Sequence, residues 1–309
     1  MKKVLITGGA GFIGSYIVDL LIEKRYDVVV VDNLVNENRR HVNTKAKFYE
    51  INICDKEQLS KVFEEERPEF VNHHAAQINV RSSIENPVHD ANVNIIGSLH
   101  LLDCCIKYKV KKFIYASSGG ARYGEPEKVP CNETHSIKPI SPYGVSKHTV
   151  EHYLHMYNKL YGLKYIILAY ANVYGPRQDP KGEAGVIAIF LDRLLRNDTC
   201  VINGDGKQTR DFIFVKDVAQ ANLLALEKET KSNDFNIGTG KESSVNEIFE
   251  ILRRVTSGDV KVRHGPPIKG EVNRVFLDAS KAKEELGWKS EVSLEDGLKK
   301  TYEYLAKAA

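Results

Sequence analysis

Tyr143 and Lys147 stand four residues apart in the run Ser141-Pro142-Tyr143-Gly144-Val145-Ser146-Lys147. Serine is a good helix N-cap and proline suits the first helical position, so the run reads as a helix start. Residues four apart then share one face, a turn from each other. A phenol with an ordinary pKa of about 10 is a poor base at neutral pH. An ammonium close by favours its ionised form, so the pair offers general base catalysis by a phenolate. About 25 residues upstream, Ser117-Ser118 follows the apolar run Phe113 to Ala116, which reads as a buried strand. Ligands of parallel sheets lie beyond the carboxyl ends of the strands, which brings these hydroxyls toward the same cleft. Alone, the Tyr-Lys spacing is common and fits a surface helix equally well.

A second motif changes that balance. Thr7-Gly8-Gly9-Ala10-Gly11-Phe12-Ile13-Gly14 follows a short apolar run and opens an amphipathic stretch. Gly8 suits a tight turn, Gly11 a close approach of backbone to a pyrophosphate, and Gly14 close packing of the helix. The helix N-terminus offers N–H groups and the positive end of a dipole to phosphate. Asp32, at the end of the next apolar run and 18 residues beyond Gly14, is placed to accept from ribose hydroxyls. No Arg or Lys follows it before Arg39 and Arg40, and a carboxylate repels a 2′-phosphate, which favours NAD over NADP. The oxidised nicotinamide ring is a second positive charge that would favour a Tyr143 phenolate, and Lys147 can reach the nicotinamide ribose.

These residues need a scaffold, and the first half of the chain supplies one. Short apolar runs at Lys3–Ile6, Asp27–Val31, Phe48–Ile53, Phe70–Ala75, Phe113–Ala116 and Tyr165–Tyr170 read as strands. Longer stretches at Phe12–Lys24, Lys56–Glu66, Pro87–Lys107 and from Ser141 onward read as helices. The alternation predicts an α/β fold: a Rossmann-type doubly wound parallel sheet with helices on both faces. After Gly175-Pro176-Arg177 the pattern loosens, with helices at 186–196, 218–226, 245–256 and 295–306 and a strand at 211–215. Residues 1–175 therefore read as the dinucleotide-binding domain. Residues 176–309 read mainly as a smaller α/β substrate-binding domain, with some later segments crossing back.

Composition agrees with a folded enzyme. The 309 residues are 42% hydrophobic with a formal charge of +3, which argues against disorder and against a dedicated nucleic-acid binder. Five cysteines without metal spacing read as packing residues in a reducing, cytoplasmic setting. No apolar run approaches the roughly 20 residues of a membrane span. His73-His74, the only histidine pair, ends an apolar run, and no metal is expected.

Eight runs in order carry a resemblance: TGGAGFIG, Asp32-Asn33-Leu34, HHAAQ (73–77), Asn94-Ile95-Ile96-Gly97, SSGGARYGE (117–125), SPYGVSK, YANVYGPRQ (170–178) and RDFIFVKD (210–217). Together they look like an extended short-chain dehydrogenase/reductase of the UDP-hexose 4-epimerase family. The likeness runs on through Asp278-Ala279-Ser280-Lys281-Ala282 and Leu286-Gly287-Trp288. It implies epimerisation at C4 of a UDP-hexose through a transient 4-keto sugar, without net redox, so that NAD stays bound. It implies that Tyr143 takes the proton of the sugar 4-hydroxyl while Ser118 bonds the same oxygen and Lys147 assists. The choice of Ser118 over Ser117 rests on a count that the extra glycine of Gly119-Gly120 leaves open.

By the same resemblance NAD lies along Gly8, Gly11, Phe12, Ile13, Gly14, Asp32, Asn33, Asn36, Asn52, Ile53, Ala75, Ala76, Asn94, Tyr143, Lys147 and Tyr170. The sugar nucleotide meets Ser118, Tyr143, Asn172, Val186, Asn203, Arg210 and Arg274. A homodimer is implied, with helices near 90–107 and 142–160 pairing across a two-fold axis. The chain departs from the pattern at Ala169, Asn203, Ile268 and Asn52; Lys269 or Arg274 stands in where a phosphate-binding Arg is usual. Val275 falls where side-chain size gates substituents on the sugar. Two rivals share the scaffold. A 4,6-dehydratase needs a carboxylate where Gly119-Gly120-Ala121-Arg122 stands, and a UDP-uronate 4-epimerase would use a cation such as Arg122 against the sugar acid. A non-catalytic NAD-binding regulator, or an RNA-binding relative, is the reading from another class; such proteins often lose the Tyr or Lys that this chain keeps.

Overall fold

Val28, Val29, Val30 and Val31 are all buried, as a strand covered on both faces requires. The computed structural model, which describes residues 1–35, 39–180, 185–256, 261–267 and 272–308, places them in an interior strand of a parallel sheet. Its strands are β1 (Lys3–Thr7), β2 (Asp27–Asp32), β3 (Lys47–Glu50), β4 (Phe70–His73), β5 (Lys112–Ser118) and β6 (Lys164–Tyr170). After β7 (Asn172–Tyr174), β8 (Cys200–Asn203), β9 (Thr209–Arg210) and β10 (Phe212–Phe214), the chain returns with β11 (Asp234–Ile237) as the seventh strand. The order is β11-β6-β5-β4-β1-β2-β3, with every pair parallel. The direction of winding reverses between β1 and β4, and the crevice at such a switch point is where ligands of these folds sit.

Both faces are covered. Helix α1 (Phe12–Glu23) lies on one face. On the other lie α2 (Lys56–Glu66), the run α3 (Val80–Glu85), α4 (Pro87–Ala91) and α5 (Gly97–Lys107), and, after the single turn α6 (Gly119–Arg122), the long α7 (Pro142–Tyr161). Helix α8 (Val186–Leu195) precedes α9 (Val215–Glu227), which joins α1 on the first face. A third core, separate from these two, gathers Tyr174, Phe190, Leu194, Ile202, Phe249 and Leu298 between α8, β8, β10 and the helices α10 (Val245–Thr256) and α11 (Leu294–Ala308). Short strands β12 (Ser243–Ser244), β13 (Val262–Gly265) and β14 (Arg274–Val275) complete this lobe.

Several boundaries differ from the sequence reading, for local reasons. The third strand stops at Glu50 rather than Ile53. There the Asn52 side chain accepts from the N–H of Cys54 and its carbonyl from Asp55, turning the chain into the Asp55 cap of α2. The stretch 87–107 is helical throughout but widens to a π-turn at Asn92–Ile96. The strand expected at 211–215 covers only Phe212–Phe214, because α9 begins at Val215, three residues early. Strand β11 carries no apolar run: Asn236 sits in it, buried, with its amide donating to the Cys131 carbonyl and its oxygen accepting from Tyr123.

Candidate active site

The glycine loop forms where β1 ends. Gly8 has φ of +70°, the left-handed region, and a Cβ there would lie 2.6 Å from the Ala75 nitrogen. A Cβ on Gly14 would fall 2.1 Å from the Gly8 carbonyl oxygen, so helix and loop are in contact. Gly11 is the N-cap of α1, with no side-chain cap and no acid in the first turn, which leaves the N-terminal end to an outside anion. Phe12 and Ile13 open the helix, half-buried. Asp32 is fixed by two N–H groups, Ala10 to Oδ2 at 3.0 Å and Leu34 to Oδ1 at 2.9 Å. Burial pushes its carboxyl above the ordinary value, against the pull of those two donors. Each oxygen keeps a lone pair for a hydroxyl. Uncapped helix end, touching glycines and oriented acid together fit a dinucleotide.

The other residues expected at the cofactor are placed unevenly. Asn33 and Asn52 are exposed, and each accepts a backbone N–H two residues on. Asn36 lies outside the described residues. Ile53 is buried in the α2/α5 core, where Gly97 leaves it room. Ala75 and Ala76 follow β4, and the Thr7 hydroxyl accepts from the N–H of His74 and of Ala75, both at 3.2 Å. Asn94, buried in the π-turn, donates to the Gln77 carbonyl, Asp90 and Ser146 and accepts from the Gln77 N–H. It therefore fixes the loop after β4 against α7. Tyr170 is buried, and its hydroxyl bonds Asn222 and His74, so it is held within the protein.

At the start of α7, the Ser141 hydroxyl accepts from the Gly144 N–H at 3.1 Å and Pro142 takes the first turn, as the sequence predicts. Tyr143 is half-buried, its N–H donating to the Ser83 hydroxyl. Lys147 is buried, 5% exposed, with its ammonium nitrogen 4.3 Å from the centre of the Tyr115 ring. Burial pulls its pKa down to about 7, against the opposing charges of Glu151 and Asp90. The Tyr115 hydroxyl donates to the Lys147 carbonyl, tying β5 to α7.

The two serines are separated by their partners. Ser117 is buried and donates to Glu151 Oε1 at 2.5 Å. Ser118, half-buried at the tip of β5, is the N-cap residue of α6. Arg122 neither meets a substrate acid nor reaches solvent: it is 1% exposed, forks onto Asp234 at 2.9 and 2.6 Å, and lies 3.6 Å from Glu151. That removes the cation on which the uronate reading rested. Glu151 was not anticipated. Its signal was present, since it continues the Tyr143 and Lys147 face by one further turn.

The residues predicted to meet the sugar nucleotide lie mostly on short strands. Asn172 opens β7, with its side-chain oxygen 3.2 Å from where a Cβ of Gly120 would stand. Val186 opens α8, half-buried. Asn203 ends β8, its carbonyl accepting from Gln208. Arg210 ends β9, in register with Ser243 on one side and Val275 on the other. Asp211 next to it is buried and accepts from the N–H groups of Thr239, Gly240 and Leu277. Arg274, exposed on β14, forks onto Glu242 at 2.7 and 2.5 Å. Val275 is buried in the main core. Ile268 and Lys269 lie outside the described residues.

His73 bridges the Thr7 and Ser98 hydroxyls at 2.6 and 2.9 Å, and burial lowers its pKa well below the ordinary value. His74 is held neutral too, its pKa lowered to about 3 by burial and by Lys147. Among the described residues no three His, Cys, Asp or Glu side chains converge as metal ligands. The five cysteines are all free thiols.

A parallel sheet with an uncapped glycine loop at its switch point defines a dinucleotide-binding α/β protein of the Rossmann type. Residues 4–238 match the model of the NAD dependent epimerase/dehydratase family, and the chain belongs to that family. It is 51% identical over 302 residues to a putative UDP-glucose 4-epimerase of Methanocaldococcus jannaschii, covering 98% of each chain. Among solved structures it is similar to the UDP-glucose 4-epimerase of Thermotoga maritima with UDP-glucose, at a TM-score of 0.97 and 53% identity over 99% of each chain. It is also similar to the Thermus thermophilus UDP-glucose 4-epimerase complex with NAD, at a TM-score of 0.95 and 41% identity, over 99% of this chain and all of that one.

Proposed function

We infer that this chain is an NAD-dependent isomerase that inverts C4 of a UDP-hexose, interconverting UDP-glucose and UDP-galactose. The observation that carries the reading is a buried lysine one helical turn from a half-buried tyrosine, in a chain whose sheet has an uncapped glycine loop at its switch point. The glycine loop and the start of α1 hold the diphosphate of NAD, and Asp32 holds its ribose. When bound, NAD supplies the ring that takes and returns hydride. Tyr143 takes the proton of the 4-hydroxyl and gives it back, and Ser118 bonds the same oxygen. Ser117, already donating to Glu151, is the less suitable of the two. Burial makes a positive charge on Lys147 unfavourable, and a phenolate one turn away is the partner that restores it.

Inversion needs both faces of the sugar presented in turn, so the nucleotide must be held while the hexose turns. We assign the holding to Arg210 and Arg274 on neighbouring strands, with Val186 and Asn203 toward the base and Asn172 toward the sugar. The division of labour falls near residue 175, with 1–175 for NAD and 176–309 mainly for the sugar nucleotide. We assign a homodimer paired through the helices near 90–107 and 142–160, where Ile96, Val145, Met156 and Leu160 are exposed. Free thiols and the lack of any membrane-length apolar helix among the described residues support a cytoplasmic site.

The test is Tyr143→Phe. It should keep its NAD and its fold and lose turnover by about 10²–10⁴-fold, the usual weight of a positioned acid–base group. Undiminished turnover would remove Tyr143 from the mechanism.

A further inference from the structure

Three side chains follow one another at four-residue steps along α7: Tyr143, Lys147 and Glu151. The first two belong to the chemistry described above, and the third continues the same face by one further turn. It is among the most buried acids in the molecule, 7% exposed, and both its oxygens are engaged. Oε1 accepts from the Ser117 hydroxyl at 2.5 Å and lies 3.6 Å from the Arg122 guanidinium; Oε2 is paired with His148 Nδ1 at 2.8 Å. Arg122 is anchored in turn by its fork onto Asp234 of the edge strand.

What this carboxylate holds is a segment on either side of Ser118. Ser117 is the residue before it, the last fully buried position of β5, and Arg122 closes the single turn that Ser118 caps. Ser118 itself sits on a strand tip, whereas Tyr143 and Lys147 sit on a helix. A hydroxyl that must meet the same sugar oxygen as a phenol on another element has to be held to a fraction of an ångström. Tyr115, three residues before Ser118 on β5, ties the two elements through the Lys147 carbonyl. Glu151 ties them one turn further along α7, and on the strand side it does so from both flanks of Ser118. A buried carboxylate also needs its partners, since a lost donor leaves charge uncompensated.

We propose that Glu151 is a positioning residue for the epimerisation: by gripping Ser117 and Arg122 it sets the Ser118 hydroxyl against Tyr143. The proposal rests on the Ser118 role assigned under the proposed function.

The experiment is a double-mutant cycle on the NAD-containing enzyme, with Glu151→Gln and Ser118→Ala, reading kcat, KM for UDP-glucose and bound NAD. Glutamine keeps the size of the side chain but has one acceptor oxygen where the carboxylate has two. The expected result is a kcat for Glu151→Gln lower by about ten- to a hundredfold, with KM and NAD content near wild type. In the Ser118→Ala background the same change should alter kcat by less than about twofold, because the group it positions is gone. Equal losses in both backgrounds, or an unchanged kcat in the first, overturn the proposal. If Glu151→Gln does not fold, Ser117→Ala enters the cycle in its place with a smaller expected loss and the same criterion. A wild-type enzyme inactive on UDP-glucose would instead strike the proposed function, which separates the two failures.

Discussion

The two groups of predicted site residues are built on different physical terms. In the first group, strands of four to seven residues lie in one continuous parallel register, and the polar groups near Tyr143 are buried and tied to one another. Asn94, Ser117, Lys147 and Glu151 are each 7% exposed or less. In the second group, all the expected nucleotide contacts but Val186 sit on strands of two to four residues, and Arg274 is an exposed side chain shared with one glutamate. The first group is preorganised at the expense of stability, and the second is adaptable. That contrast suits a reaction in which the reacting atoms must be placed tightly while the sugar turns over.

The sharpest way to break the contrast is Lys147→Met. Turnover should fall by at least about a hundredfold. In protein freed of cofactor, stability should move the other way. The folded pKa is about 7, whereas an unfolded lysine sits near 10.4. Between those values the unfolded chain holds a proton that the folded chain has released. Wild-type stability therefore rises with pH across that window, and the full deficit is present below pH 7. Lys147→Met should lose this rise and be the more stable protein at pH 6, by an amount on the order of a few kcal/mol. Denaturant unfolding at pH 6 and pH 9 checks it; a variant less stable than wild type at pH 6 would mean that the lysine is not under strain from burial.

The second group should respond more mildly and in KM rather than in kcat. Arg210→Ala is expected to raise KM for the sugar nucleotide about ten- to a hundredfold, the weight of charge-assisted bonds to a diphosphate. Arg274→Ala, exposed and already paired with Glu242, should raise it only a few-fold. Steady-state kinetics on both variants separate the two, and a larger effect at Arg274 would reverse their assigned order. The smallest difference expected is between substrates: with valine at position 275, UDP-N-acetylglucosamine should turn over within about tenfold of UDP-glucose. Strict rejection of the acetamido sugar would end that idea.

What the sequence made legible follows the same divide. Glycines that must turn or touch, an acid at a strand end, and a capped helix with Tyr and Lys a turn apart are local signals, and each is where the spacing placed it. The valine run of β2 requires cover on both faces, and it forms an interior strand. The edge strand β11 was not legible, because four residues that include a half-buried Asp forked onto Arg122 and a buried Asn carry no apolar pattern. Arg122 was read as a surface or substrate-facing cation, and only tertiary structure brings Asp234, 112 residues away, beneath it. The two-residue strands β9, β12 and β14 are held by pairing between distant segments, which no local window contains.

The central claim is that this cleft carries its own NAD and inverts C4 without net redox. Purified protein mixed with UDP-glucose and no added cofactor should form UDP-galactose, and should reach the same final ratio of the two sugars when started from UDP-galactose. Protein that contains NAD yet forms no UDP-galactose would contradict the account.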